Sequence, residues 1–172
     1  VWTEEGFSDS LKSSFTNTDG MKYGIPQSGV YMPVVYYNKT LFTELGIGAP
    51  KTWDDLFAAA DAVRGAGYQP LATDFDTNLN QQLANLALMR GFTAEEYETI
   101  LTNWSADATE EQKAVKWSDP NGVAVFELLK RIADEGVLAD GYAGQSDSVL
   151  ARSMFTSGKA AMYQNNSGDA NS

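Results

Sequence analysis

The stretch from Tyr23 to Lys39 is the sequence feature that most constrains the fold. It is the longest run of apolar and aromatic residues, and β-branched and tyrosine side chains dominate it, which is typical of strands rather than of a helix. Pro33 has no amide hydrogen to donate, which argues against one uninterrupted central strand. We therefore expect an extended crossing segment that is paired at both ends and irregular between them.

Two helices are predicted directly after this stretch. Asn38 is a suitable N-cap for a short helix over residues 39–45, because its side chain can accept a hydrogen bond from a free backbone amide. Thr52 is a suitable N-cap for a second helix that begins at Trp53 and ends near Gly65 or Gly67.

The remaining chain alternates helices and strands. We expect a buried strand over 68–73, a helix over 119–135, a helix from Ser146 or Asp147 to Phe155 and a strand over 159–164. This order predicts an α/β fold with a small, mostly parallel sheet flanked by helices. The side chains predicted to be buried are Trp53, Leu56, Val125, Leu129 and Phe155.

Four local features carry weaker predictions. A turn at 18–20 is expected to lead into a strand from Met21 to Ile25, and residues 79–90 are expected to form a helix. Thr93 and Glu96 have the spacing of a capping box. The last eight residues, 165–172, are expected to contribute no packing side chains.

Two motifs resemble the extracellular solute-binding proteins of ABC sugar importers. The first runs Tyr-Gly-Ile-Pro, Tyr-Tyr-Asn-Lys, Leu-Phe and Pro-Lys-Thr-Trp-Asp-Asp-Leu over residues 23–56. The second is Phe-Thr-Ser-Gly-Lys-Ala-Ala-Met over residues 155–162. The resemblance covers about residues 20–168 and implies a type II periplasmic-binding-protein-like fold, of which this chain supplies mostly one lobe.

This resemblance implies a domain organisation and a function. Residues 1–36 would form the end of the first lobe and the hinge crossing, and residues 37–172 a second, C-terminal lobe truncated at its return crossing. The chain would capture a sugar or oligosaccharide and deliver it to ABC permease subunits. It would work outside the cell or in the periplasm, anchored to the membrane through an N-terminal lipid absent from this sequence.

Composition excludes several other classes of function. The net charge of −11, from 12 basic and 23 acidic residues, disfavours nucleic acid and anionic membrane surfaces. Without His or Cys, the chain lacks the usual general base, the thiol nucleophile and the usual zinc ligands. We therefore expect no enzymatic activity, no metal and no cofactor.

The acidic loop after residue 73 leaves two alternatives open. Asp74 and Asp76 could serve a carbohydrate-active enzyme as paired carboxylates. Asp74, Asp76 and Asn78 also have the alternation of the first calcium ligands of an EF-hand loop, but Leu79 stands where the turn requires glycine. A loop that simply turns at a strand end explains these residues better.

Three loops combine the amide, carboxylate and aromatic groups that suit a sugar, and the resemblance puts them at the cleft. The predicted ligand-binding residues are Gln27, Ser28, Tyr31, Asp74, Asp76, Asn78, Asn80, Asn165, Asn166 and Asp169. Two of them have equally ordinary explanations, since Tyr31 could pack at the lobe boundary and Asn78 could cap a helix.

The third loop departs from the family pattern. Gly168 stands where relatives carry a Trp that stacks on a sugar, so that contact is missing or is replaced by Trp104 or Trp117. A sensory domain of the same fold remains a further alternative function. The isolated chain is expected to self-associate through its open strand edge.

Overall fold

The computed structural model describes residues 8–9, 12, 15–24, 33–75, 92–93, 96, 109–110 and 116–171. The chain divides into two compact units, Val1–Tyr31 and Met32–Ser172. The domain boundary after residue 36 and the hinge stay predictions. The helix expected over 79–90 lies outside the described residues.

In the first unit, the predicted turn at 18–20 is present, but residues 21–24 do not form the predicted strand. The Gly20 N–H donates to the Asn17 carbonyl over 2.8 Å, and Gly20 has a φ of 77°, which glycine adopts readily. Pairing beyond the turn is a single bridge between Thr16 and Lys22. Met21 and Tyr23 are 59% and 74% exposed, so an apolar face that would stabilise a strand from Met21 is lacking in the described residues.

The second unit contains a three-stranded sheet in the order β1-β3-β2. The strands are β1 (Pro33–Tyr37), β2 (Gln69–Ala72) and β3 (Ala160–Asn166). β3 is antiparallel to β1 and parallel to β2, so the sheet of the described residues is mixed rather than mostly parallel. Pro33 is tolerated because it is the first residue of a strand at the sheet edge.

Four helices of the described residues flank the sheet: α1 (Lys39–Glu44), α2 (Trp53–Gly65), α3 (Pro120–Asp134) and α4 (Ser148–Thr156). The predicted caps at Asn38 and Thr52 are confirmed. The Asn38 side chain accepts from the Leu41 N–H, and Thr52 forms a reciprocal capping box with Asp55. Such a cap stabilises a helix by about 1 kcal/mol.

Two further caps follow the sequence. Asp147, rather than Ser146, caps α4 by accepting from the Val149 N–H. The capping box predicted at Thr93 and Glu96 is confirmed, because each side chain accepts a hydrogen bond from the other residue's N–H.

The core lies on both faces of the sheet, as the alternation of strand side chains requires. Leu71 and Met162 pack in a cluster with residues of α1, α2 and α3. The next residues along each strand, Ala72 and Tyr163, pack in a second cluster with Ala151 of α4. Helices on both sheet faces are the expected arrangement for an α/β fold, and the predicted fold class is confirmed.

The predicted core residues are buried to different extents. Leu56 and Val125 are buried, at 6% and 2% exposure. Trp53, Leu129 and Phe155 are only partly buried, at the margins of the clusters.

Arg64 joins α2 to the segment that follows α3. Its guanidinium donates to the carbonyls of Gly136 and Leu138 over 3.0 Å each, and to the Asp140 carboxylate over 3.0 Å. Gln69 completes this Arg64 cluster by donating to Asp140 over 3.2 Å and accepting from its N–H over 2.8 Å. Hydrogen bonds from Gln69, and then from Arg64, lower the pKa of Asp140.

Candidate functional site

The carboxyl ends of β2 and β3 lie side by side, because the two strands are parallel and Ala72 pairs with Tyr163. Thr73 and Asp74 follow β2, and Gln164 and Asn165 occupy the end of β3. Open α/β sheets bind ligands beyond the carboxyl ends of their strands. We call these four residues the carboxyl edge and treat them as the base of the candidate site.

The carboxyl edge is polar and buried at once. Thr73 and Gln164 are fully buried, Asp74 is 1% exposed and Asn165 is 6% exposed. The Thr73 hydroxyl donates to Gln164 Oε1 over 3.0 Å. Buried polar groups destabilise a fold unless they are hydrogen-bonded. Four of them at the adjacent ends of two strands therefore indicate a role beyond packing.

Asn166 and Asn165 shape the turn that follows β3. The Asn165 Oδ1 accepts from the Asn166 N–H over 2.7 Å, and the Asn166 Oδ1 accepts from the Gly168 N–H over 2.9 Å. The turn itself is a short 3-10 helix over Ser167–Asn171. The predicted absence of packing side chains after residue 164 is therefore wrong, because Asn165 ends a buried strand.

Tyr163, Asn165, Asp169 and Arg152 form a hydrogen-bonded group that we call the Tyr163 cluster. The Tyr163 hydroxyl and the Asn165 amide donate to Asp169 Oδ2 over 2.7 and 2.9 Å. The Asn165 amide also contacts the Tyr163 hydroxyl, and the Arg152 guanidinium forms a salt bridge with Asp169. Burial raises the pKa of Tyr163, while hydrogen bonds to Tyr163 and Asp169 raise that of Arg152.

Aromatic rings line the same face of the sheet. Tyr163 stacks on Tyr36 of β1 and on Phe155 of α4, with ring centroids 6.0 and 5.9 Å apart. The Tyr36 hydroxyl donates to the Asn166 carbonyl over 2.9 Å. Tyr163 is only 3% exposed, so its ring supports the turn after β3 from within the protein and is not available to stack on a ligand.

Gln145 supplies a buried acceptor close to the end of β2. Its backbone carbonyl accepts from the N–H of Phe75, the residue after Asp74, over 2.8 Å. Its side-chain Oε1 is buried without a hydrogen-bond donor within the described part of the chain. A ligand hydroxyl is a suitable donor for such an oxygen.

Four of the ten predicted ligand-binding residues fall in the described part of the chain. Asp74, Asn165, Asn166 and Asp169 lie at the carboxyl edge or in the turn after it. Two of the three predicted loops therefore begin at the same edge of the sheet. The other six residues lie outside the described ranges: Gln27, Ser28, Tyr31, Asp76, Asn78 and Asn80.

Sequence reasoning missed Arg152, Tyr163, Gln164 and Gln145. Gln164 carried a usable signal, since a polar pair ends the otherwise apolar strand Ala-Ala-Met-Tyr-Gln-Asn. Arg152 carried none, because an arginine in a nine-residue helix is ordinarily a solvated side chain.

Trp53 lies elsewhere, in an apolar groove of about 470 Å³ between β1 and the start of α2. The groove is lined by Val34, Val35 and Leu56, among others, and by none of the four predicted ligand-binding residues that the structure describes. Its lining suits packing rather than recognition of hydroxyl groups, in keeping with the partial burial of Trp53 at the margin of the core.

The described ranges contain neither a cluster of metal ligands nor a membrane-spanning helix. Three or more acidic side chains that could hold a metal ion do not come together there. Within the same ranges, every helix is too short or too polar to cross a bilayer. Asp76 and Asn78 of the calcium alternative are not described.

Comparison with known proteins identifies the family. A model described as bacterial extracellular solute-binding protein matches residues 3–172. The chain is 26% identical over 182 residues to the multiple sugar-binding protein of Streptococcus mutans, covering 96% of this chain and 39% of that protein. It is 27% identical over 157 residues to the sn-glycerol-3-phosphate-binding periplasmic protein of Brucella abortus, covering 90% and 34%.

A solved structure agrees with this assignment. The structure of a chitin oligosaccharide binding protein superposes with a TM-score of 0.68 at 25% identity, over 92% of this chain and 39% of that one. The chain thus spans little more than a third of the length of the proteins it matches. It belongs to the family of bacterial extracellular solute-binding proteins.

Proposed function

We propose that this chain is part of the substrate-binding component of an ABC importer and captures a sugar or oligosaccharide for delivery to a membrane permease. The carboxyl edge, with its four buried polar side chains, is the observation that carries the proposal. Hydroxyl-rich ligands need amide and carboxylate partners, and the edge presents both. Gln145 adds a buried acceptor beside it.

The proposal includes a domain arrangement. Residues 1–36 end a first lobe and form the hinge, and residues 37–172 form most of a second lobe. Ligand then bridges the two lobes, and closure presents the loaded form to the permease. Family membership supports a location outside the cell or in the periplasm, and an N-terminal lipid anchor belongs to the same proposal.

The charges favour a neutral ligand over a phosphorylated one. Phosphate recognition relies on free arginines, lysines or helix N-termini. The arginine nearest the carboxyl edge among the described residues is Arg152, and its guanidinium already pairs with Asp169. The net charge of −11 also disfavours an anion. A neutral sugar therefore suits the site better than a glycerol phosphate, although one relative is named for that ligand.

The site is proposed to bind without covalent chemistry. Glycoside hydrolysis needs two carboxyl groups that face each other across a sugar. The Asp169 carboxylate already contacts three side chains of the Tyr163 cluster, so it is not a suitable member of such a pair. A sensory domain of the same fold would bind ligand equally well. It would differ only in its partner, which would be a signalling protein instead of a permease.

Calorimetry of two forms of the protein tests the proposal. The 172-residue chain and the longer gene product that carries it are titrated with galactose, raffinose, chitobiose and sn-glycerol-3-phosphate. We expect the longer protein to bind a neutral sugar with micromolar affinity, about −8 kcal/mol. The chain alone supplies one wall of the cleft and should retain about half, roughly −4 kcal/mol, which is millimolar.

Each alternative has its own outcome. Micromolar binding by the 172-residue chain alone would contradict the two-lobe account. Selective binding of sn-glycerol-3-phosphate would overturn the neutral ligand, and release of shorter sugars from raffinose or chitobiose would select the enzyme. Light scattering of the chain alone checks the self-association expected of the open edge of β1.

A further inference from the structure

Two of the predicted ligand-binding residues, the last residue of β3 and Asp169 in the turn after it, already use their side chains in contacts within the protein. Asn166 Oδ1 accepts from the Gly168 N–H, and Asp169 accepts from Tyr163 and Asn165. Asp169 is also well covered, with a side chain that is 14% exposed. A carboxylate held by this many partners is a poor ligand contact, so Asp169 has a different task.

Arg152, which contacts Asp169, lies on a different element from the turn. It projects from α4, and its guanidinium pairs with the Asp169 carboxylate. Charge-assisted hydrogen bonds of this kind are roughly twice as strong as neutral ones. The salt bridge therefore fastens the turn to the helix that covers the sheet.

Tyr163 makes the arrangement rigid. Its ring is held between Tyr36 and Phe155, and its hydroxyl donates to Asp169 over 2.7 Å. Since the ring cannot shift without disturbing two strands and a helix, the hydroxyl fixes where Asp169 sits. The turn is in this way anchored to β1, β3 and α4 together.

We propose that Arg152 is a positioning residue, which acts through Asp169 to hold the turn after β3 in the form that binds ligand. This inference rests on the proposed function, because the turn matters for binding only if ligand occupies the carboxyl edge. A preorganised turn binds without the entropic cost of ordering it, so loosening the turn weakens affinity even when the fold persists.

The test measures affinity and turn order in the full-length protein. Raffinose and chitobiose serve as probes, and hydrogen exchange of the Gly168 amide reports on the turn. We expect Arg152→Met and Asp169→Asn to weaken sugar binding about 10-fold and to speed exchange at Gly168. Arg152→Lys, which keeps the charge but loses the fork of donors, should weaken binding about 3-fold.

Two further variants separate positioning from general stability. The charge-exchanged pair Arg152→Asp with Asp169→Arg re-forms the salt bridge but removes the acceptor of Tyr163 and Asn165, so it should recover only part of the binding lost in Arg152→Met. Lys130→Met removes an exposed salt bridge with Asp134 on α3 and should leave binding unchanged. It controls for the loss of a charged pair as such.

The outcomes are distinct. If Arg152→Met and Asp169→Asn melt at lower temperature yet bind as the parent does, the cluster is only structural and the inference is overturned. If the parent protein binds no sugar, the proposed function itself is wrong, and the role proposed for Arg152 is wrong with it. Recovery of binding together with slower exchange at Gly168 in a charge-exchanged pair that melts as its single variants do supports positioning.

Discussion

The Arg64 cluster and the Tyr163 cluster contain the same pair of residue types in different surroundings. The side chains of Arg64 and Arg152 are 37% and 38% exposed, but Asp140 is 72% exposed and Asp169 only 14%. Most of the hydrogen bonds that the Arg64 guanidinium donates go to the backbone carbonyls of Gly136 and Leu138. Arg152 is directed at a covered carboxylate in the turn after the carboxyl edge.

This difference teaches that the partners of an arginine, and not the arginine itself, indicate its role. An arginine that satisfies backbone carbonyls stabilises a chain connection. One that holds a shielded carboxylate near a strand end fixes the position of a functional loop. We therefore expect variants of the Arg64 cluster to change stability and variants of the Tyr163 cluster to change affinity.

The largest effect on stability should come from Arg64→Ala. The substitution leaves the Gly136 and Leu138 carbonyls without their donor, which costs about 1–3 kcal/mol for a partly buried group. Urea denaturation measures the loss, and Lys130→Ala is the matched control because its salt bridge with Asp134 is exposed on both sides. A change in sugar affinity without a change in stability would break the comparison.

A smaller effect is expected from Gly136→Ala. Gly136 has a φ of 70°, and a Cβ there would lie 3.1 Å from Arg64 Nε. An alanine in this left-handed conformation costs about 1–2 kcal/mol. Gly144→Ala is the control, since a Cβ at Gly144 meets nothing within 4 Å. Equal midpoints for the two variants in urea would show that the turn at Gly136 does not constrain Arg64.

The smallest effect should be the acid response of the Arg64 cluster. Hydrogen bonds from Gln69 and Arg64 lower the pKa of Asp140 in the folded state. Its contribution to stability is therefore present above the unfolded pKa, about 3.9, and is lost as the pH falls through the lower folded pKa. Asp140→Asn should remove this part of the pH dependence, as urea denaturation between pH 3 and pH 7 would reveal.

The sequence predicted the helices and their caps well because those signals are local. Asn38 and Thr52 each cap a helix, and Thr93 forms a capping box with Glu96, through side chains within three residues of their partners. Burial was less accurate, because Trp53 and Phe155 lie at the margins of clusters that depend on distant elements. The mixed sheet was missed because strand direction is not a local property.

The positions of two predicted residues at strand ends follow from the sequence, but the contacts of the turn after β3 do not. Asp74 and Asn165 were recognised because they follow apolar strands, and they do lie at the carboxyl edge. That Asp169 is engaged by Arg152, 17 positions earlier in the sequence, follows only from the packing of α4 on β3. No periodicity in the sequence reports such a contact.

The central position of β3 has a consequence for how the protein folds. The Tyr36 hydroxyl meets the Asn166 carbonyl across 130 positions of sequence, and in the described sheet β3 is the strand that pairs with both β1 and β2. Closing so long a loop before β1 can pair makes folding slow. During synthesis on the ribosome, β1 and β2 therefore cannot pair with β3 until nearly all of these 172 residues have emerged.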